Sequence, residues 1–251
     1  MLSGLTVLKL GGSVITDKSS AGVINYKAIA ELASVIASNP RPLIIIHGAG
    51  SLGHPEAKKW HLADGVSQDN AEGINETHEA VSSLNREVVK ALREAGINAV
   101  SFPPFASALA KNKRLHYAGE KQIAELLAVG ITPVLFGDVV IDTKLGACIV
   151  SGDQLAPYLA RALSAERVGI VTSAGGVLDG GKVIPLLSRG NVTEISFISA
   201  DCADVTGGMK GKVDELLALA EEGIDSQIFA AVELADFLNG KNPGTRVTND
   251  N

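Results

Sequence analysis

Short runs of apolar residues alternate along this chain with longer stretches in which apolar positions recur at helical spacing. Thr6 to Leu10, Leu43 to His47, Ala99 to Phe102, Pro133 to Phe136, Val168 to Thr172 and Gln227 to Ala230 read as buried strands. The spaced pattern predicts helices over Lys27 to Ser38, Glu72 to Ala95, Glu120 to Val129, Gln154 to Leu163 and Lys212 to Glu222. Strand and helix in alternation imply an α/β fold, a mostly parallel sheet covered on both faces, with ligands gathering at the carboxyl ends of its strands. Val139 to Val150 and Gly175 to Pro185 read as hairpins around Thr143-Lys144 and Gly180-Gly181, and the polar stretch His61 to Asn70 reads as a mobile surface loop. No repeat or low-complexity linker interrupts the pattern, which predicts one unit over residues 1–251 with two functional halves meeting near Gly137 to Asp153.

Composition narrows this picture. Hydrophobic residues make up 46% of the chain but aromatics only 4%, so the core is built from Val, Ile, Leu and Ala. Glycine is in excess, 27 of 251 residues without a collagen-like period, which places it in loops that need unusual backbone geometry. A net charge of −6 argues against bulk attraction to nucleic acid or anionic membranes. Cys148 and Cys202 are too few and too far apart for a disulfide framework or a zinc site, so a reducing, cytoplasmic setting is expected. Met1 to Leu10 reads as a strand and not as a signal peptide, and uncharged stretches such as Ile97 to Ala110 fall short of the roughly 20 residues that span a membrane. A soluble protein is expected.

Three glycine loops carry the candidate chemistry. The first, Leu10-Gly11-Gly12-Ser13, follows the opening strand and is bracketed by Lys9 and Lys18. Consecutive glycines let backbone N–H groups approach an anion, and two ammonium groups beside them would offset the charge on a transferred phosphoryl group. The second loop, His47-Gly48-Ala49-Gly50-Ser51-Leu52-Gly53-His54, contains a formal G-x-G-x-x-G. A dinucleotide site also wants a strand ending in an acid about 20 residues on, where this chain has the polar stretch His61 to Asn70. Pro55 is placed to start a helix whose N-terminal N–H groups favour a phosphate, and His54 is suited to donate to a phosphate oxygen. His47 reads as a strand-end packing residue, whereas His61, His78 and His116 belong to no constellation visible in sequence. The third loop, Asp204 to Lys212, again sets glycines and lysines at a helix start. Gly176 to Val183 has P-loop spacing, but Val183 stands where a magnesium-binding Ser or Thr belongs, so a hairpin is the better reading. Asp153, after Ser151-Gly152, is suited either to a helix start or to holding lysines such as Lys9 and Lys212.

Taken in order, Lys9 to Lys18, His47 to His54, Phe136-Gly137-Asp138-Val139, Ser151-Gly152-Asp153, Asp204 to Lys212 and Gly244-Thr245-Arg246 resemble the amino acid kinase superfamily, and within it the archaeal isopentenyl phosphate kinases. The resemblance covers essentially the whole chain. It implies a three-layer αβα sandwich, with a phosphate acceptor in the N-terminal half and ATP in the C-terminal half. It implies that Lys9, Leu10, Gly11, Gly12, Ser13, Gly50, Gly208 and Lys212 contact ATP, that Lys18 stabilises the transition state, and that Asp153 orients the lysines. Ala49, His54 and Gly152 would contact the acceptor phosphate. Where the family has Thr-Asp-x-Asp-Gly near the adenosine, this chain has Thr172-Ser173-Ala174-Gly175-Gly176, leaving Ser173 in place of an acid; Leu52 likewise replaces an aromatic. The implied reaction is in-line transfer from ATP to isopentenyl phosphate, with Mg2+ carried by the nucleotide and the early part of the Glu72 to Ala95 helix beside the hydrocarbon tail. A homodimer is implied as well. The alternatives are a kinase for another phosphate or phosphonate, such as a nucleoside monophosphate or fosfomycin, and a nucleotide-binding sensor without turnover. Few aromatics argue against a base-stacking acceptor, while Lys9, Lys18, His54 and Asp153 argue against a sensor.

Overall fold

The computed structural model describes residues 3–17, 22–192 and 208–249. The chain opens with strand β1 (Thr6–Leu10), the single turn α1 (Gly12–Ile15), helix α2 (Tyr26–Ala37), β2 (Leu43–His47), α3 (Gly50–Lys59) and α4 (Glu72–Glu94). It continues through β3 (Ala99–Ser101), α5 (Pro104–Ser107), β4 (Leu109–Lys111), β5 (Arg114–Tyr117), α6 (Glu120–Ala128), β6 (Thr132–Phe136), β7 (Asp138–Asp142), β8 (Gly146–Val150) and α7 (Gly152–Ala162). The remainder comprises β9 (Arg167–Thr172), β10 (Leu178–Asp179), β11 (Lys182–Val183), β12 (Leu186–Leu187), α8 (Gly208–Ala220), β13 (Ser226–Ala230), α9 (Leu234–Leu238) and β14 (Thr245–Val247).

Among the described residues, eight strands form the main sheet in the order β12-β14-β13-β9-β1-β2-β6-β3. Every pairing in it is parallel except that of β13 with β14. The core follows from period-two alternation on strands buried on both faces. Leu5, Val7, Ile44, Ile46 and Leu135 face one layer, with Leu155 and Leu159 of α7 and Val213, Leu216 and Leu217 of α8. Leu8, Leu10, Leu43, Ile45 and Val134 face the other, with α2, α4 and α9. Lys9 continues the Leu5–Val7 row, so its side chain is aimed at the layer of α7 and α8. Helix α4 buries Gly73, Thr77, Val81, Leu84, Val88 and Leu92, a stripe at i, i+4 and i+3 spacing.

A second sheet, β5-β4-β7-β8, and the β10-β11 hairpin stand apart from the main one. Both expected hairpins form, β7 with β8 and β10 with β11. Two expectations need amendment. Pro55 does not start its helix, because α3 begins at Gly50 and carries Pro55 inside. The carbonyl of Ser51, which a residue with an N–H at position 55 would serve, instead accepts from Gly22 N at 3.2 Å, so the proline leaves no orphan there. His61 to Asn70 is not an unsupported loop. It holds a 3₁₀ turn at Leu62–Asp64, Leu62 is fully buried, and the Asn70 amide donates to the carbonyls of Trp60 and Gly65. The short strands β4, β5 and β14 carried no clear apolar run, and pairing within the folded chain defines them. No described helix is long and apolar enough to cross a membrane.

Candidate active site

From β1 the chain can turn to a parallel neighbour on either side, β2 or β9, and the crevice at such a point lies at the carboxyl end of the strand. Both glycine turns open there. A Cβ added to Gly12 would lie 2.5 Å from Gly50 N and 2.6 Å from Gly50 Cα, and one added to Gly48 would lie 2.7 Å from Gly12 N. The two turns therefore touch backbone to backbone. Gly50 also adopts φ +57°, and a side chain there would strike Thr16 Oγ1. The Thr16 hydroxyl bolts the pair, donating to Gly12 O at 2.8 Å and accepting from Ser51 N at 3.0 Å.

Three charged side chains converge beside these turns from three elements. Asp153, in the first turn of α7 behind the Ser151 cap, shares one carboxylate oxygen between Lys9 Nζ of β1 at 3.0 Å and Lys212 Nζ of α8 at 2.6 Å. Burial would push the Asp153 carboxyl up, but the two ammonium groups outweigh it and hold the group well below the usual carboxylate range. Lys212 is lowered to about 8, chiefly by burial and then by the neighbouring Lys9 charge, with Asp153 opposing both. Among the described residues, one carboxylate against two lysines leaves a net positive charge in a largely buried place, a poor arrangement by itself and a good one for a polyanion. Gly152 completes the approach, since a Cβ there would lie 3.3 Å from Lys9 Cε and 3.4 Å from His47 O.

The predicted residues fall into two groups around this cluster. Lys9, Leu10, Gly11, Gly12, Ser13, Ser173, Gly208 and Lys212 stand on β1, β9, α8 and their turns, Gly50 opens α3 after β2 against Gly12, and Ser13 Oγ lies 3.1 Å from Ser173 Oγ, joining the first glycine turn to the end of β9. Ala49, Gly152 and His54 stand on the β2 and α7 side, with His54 partly buried in the second turn of α3. Lys18, Cys202 and Asp204 to Gly207 lie outside the described residues. His47 packs as expected. It is fully buried, stacks on Phe136, lies 3.1 Å from Asn85 Nδ2, and is lowered to about 4 mainly by burial, so it stays neutral.

One constellation escaped the sequence. His78 of α4 places Nδ1 3.0 and 3.1 Å from the two carboxylate oxygens of Asp138, whose side chain is fully buried at the start of β7. Burial pushes Asp138 up and His78 pulls it down, while the carboxylate raises His78 above its ordinary value. Sixty residues separate the partners. The Glu72 to Ala95 periodicity alone places His78 and Ser82 one turn apart, and only the packing of α4 on β7 brings the acid. Nearby, Trp60, Val66, Ile74, Phe105 and Ile149 gather around buried Val139 as an apolar cluster.

A model of the Amino acid kinase family matches residues 4–230. The chain is similar to the isopentenyl phosphate kinase of Haloferax volcanii, 35% identical over 96% of this chain and 97% of the relative. It is equally similar to that of Methanothermobacter thermautotrophicus, 35% identical over 97% of this chain and 99% of the relative. In structure it is similar to a solved isopentenyl phosphate kinase at a TM-score of 0.81 and 32% identity, over 96% of this chain and 99% of that one.

Proposed function

Because the chain belongs to the amino acid kinase family, and within it to the isopentenyl phosphate kinases, we propose that it transfers the γ-phosphoryl group of ATP to isopentenyl phosphate, giving isopentenyl diphosphate and ADP. The observation that carries this reading is the Lys9–Asp153–Lys212 cluster beside two glycine turns in backbone contact. A glycine pair without room for side chains admits phosphate oxygens to backbone N–H groups, and two lysines on one carboxylate leave, among the described residues, one positive charge in excess for them.

In the reaction, a terminal oxygen of the acceptor phosphate attacks the γ-phosphorus in line, and ADP leaves with the bond's electron pair. The acceptor is already largely a dianion at neutral pH, its second pKa being about 6, so no strong base is needed. What remains is positioning and charge neutralisation. Lys9, Leu10, Gly11, Gly12, Ser13, Gly50, Gly208 and Lys212 hold the nucleotide phosphates, Asp153 aims the two lysines, and Lys18 neutralises the transferred group. The Ser13–Ser173 contact supports a place for Ser173 beside the nucleotide. Ala49, His54 and Gly152 take the acceptor phosphate, and the cluster of Trp60, Ile74, Phe105 and Ile149 receives the hydrocarbon tail. Mg2+ arrives on the ATP phosphates, since a hard cation prefers phosphate oxygens and water. The acceptor belongs to the N-terminal half and ATP to the C-terminal half of one domain, with Lys9 to Ser13 and Gly50 reaching from the first half to the nucleotide phosphates and Gly152 from the second to the acceptor. A cytoplasmic homodimer completes the reading, with sedimentation as its check.

The decisive experiment offers Mg-ATP with isopentenyl phosphate, dimethylallyl phosphate, UMP or fosfomycin and scores ADP release. Isopentenyl phosphate is expected to be turned over best, and preference for UMP or fosfomycin would overturn the reading. In the same assay His54→Ala is expected to raise the acceptor KM or lower kcat at least tenfold with little change in ATP affinity. Unaltered acceptor kinetics would remove His54 from its role.

A further inference from the structure

The Asp138–His78 pair extends one bond further than a structural strut requires. His78 Nε2 lies 3.3 Å from Ser82 Oγ, one helical turn along α4, so carboxylate, imidazole and hydroxyl form a row. Asp138 is fully buried and also accepts from Phe105 N at 3.1 Å, yet the His78 side chain keeps 27% of its surface exposed. The ring packs beside Phe105 and Phe136, with centroids 4.8 and 6.4 Å away.

The packing of α3 on α4 says which way this row faces. A Cβ on Gly53 would lie 2.3 Å from Val81 Cγ1, and one on Gly73 would lie 2.4 Å from Trp60 Cβ, so the two helices run antiparallel along a seam of Gly53, Gly73, buried Thr77 and Val81. On two antiparallel right-handed helices, the residue after each seam residue turns about 100° toward the same side of the pair. His54, His78 and Ser82 are those residues. That side holds Asp138, whose neighbour Gly137 approaches Gly152 N to within 3.4 Å of where its Cβ would stand.

We propose that Asp138, His78 and Ser82 form a polar subsite in the acceptor cleft that takes a hydroxyl or carbonyl oxygen on the organic part of a small phosphate monoester. The inference rests on the acceptor side being the one assigned above. Asp138 takes the Nδ1 proton; with a neutral ring the Ser82 hydroxyl donates to Nε2 and its oxygen is left to accept from a ligand hydroxyl, and with a protonated ring Nε2–H is given to Ser82 Oγ and the hydroxyl donates to the ligand oxygen. The row has the composition of a hydrolytic triad, but Ser82 sits inside α4, where backbone N–H groups are spent on the helix ladder and leave no oxyanion hole; binding is the function it can perform.

The test compares two acceptors of one carbon skeleton, 3-methylbutyl phosphate and 3-hydroxy-3-methylbutyl phosphate, by the ratio of their kcat/KM values. The ratio is insensitive to general losses of folding or phosphoryl transfer, which scale both. Ser82→Ala is expected to lower the hydroxylated-to-plain ratio about tenfold, the worth of one good hydrogen bond. His78→Asn, whose amide can keep the bond to Asp138 but cannot reach Ser82, is expected to lower it by a similar factor. Unchanged ratios in both variants overturn the subsite, and a fall in Ser82→Ala alone overturns the role of His78 in it. A wild-type protein inert toward isopentenyl phosphate overturns the functional reading and the subsite together, whereas an active one with unchanged ratios overturns the subsite alone.

Discussion

Lys212 is pulled two ways, and the balance is measurable. Burial and the nearby Lys9 charge favour the neutral amine, Asp153 favours the ammonium, and the outcome is about 8. In the free enzyme the positive charge is therefore present at neutral pH and is lost as pH rises through about 8. The pH profile of kcat/KM for ATP is expected to fall on its alkaline side near that value. In Lys212→Arg, where the cation does not titrate, the fall is expected to move upward by at least a unit even if the maximum drops. His47 supplies a second titration with the opposite consequence. Its folded value of about 4 lies below the ordinary 6.5, so the unfolded chain binds more protons between the two, and stability is lost as pH falls through that window. Urea unfolding at pH 7.5 and pH 4.5 is expected to show a loss on the order of 2–3 kcal/mol that is largely absent in His47→Gln.

At the scale of elements, the site depends on two strand-to-helix turns that meet where neither has a side chain. Gly12 is the sharpest point, because its neighbour across the gap is backbone and cannot rotate away. Gly12→Ala is expected to cost about 1–3 kcal/mol of stability and to lower kcat/KM for ATP more than a hundredfold, since the turn must open to admit the methyl group. An alanine variant with wild-type melting temperature and ATP kinetics would contradict the close approach. Helices α7 and α8 act differently, each delivering one charged group to a point that β1 also reaches. The same layer that buries Val213 and Leu216 thereby fixes Lys212 against Asp153.

Across the whole molecule, the cluster joins positions 9, 153 and 212, so a nucleotide seated there ties together elements from both ends of the chain. A nonhydrolysable ATP analogue with Mg2+ at about 100 times its Kd is expected to stabilise the fold by about 2.7 kcal/mol. For a chain of this length that corresponds to a rise in Tm of roughly 5–10 °C, measurable by calorimetry. No shift at saturating analogue would move the nucleotide away from this cluster.

Sequence by itself determined the alternation of strands and helices, because burial on a sheet or along a helix imposes periods that are local. It also marked the glycine turns, and the lysines and Asp153 as candidates, because the chemistry of phosphate recognition is written in short contiguous stretches. The short strands β4, β5 and β14 were not legible in this way, since each is defined by the partner it pairs with. Pro55 sits inside α3 and not at its start for a related reason, as its tolerance there depends on Gly22 serving the Ser51 carbonyl. Only the tertiary structure decided that one oxygen of Asp153 serves both lysines, that Gly12 and Gly50 touch, and that His78 has an acid. Those are contacts between residues far apart in the chain, and their distances depend on how the layers pack, which no local pattern encodes.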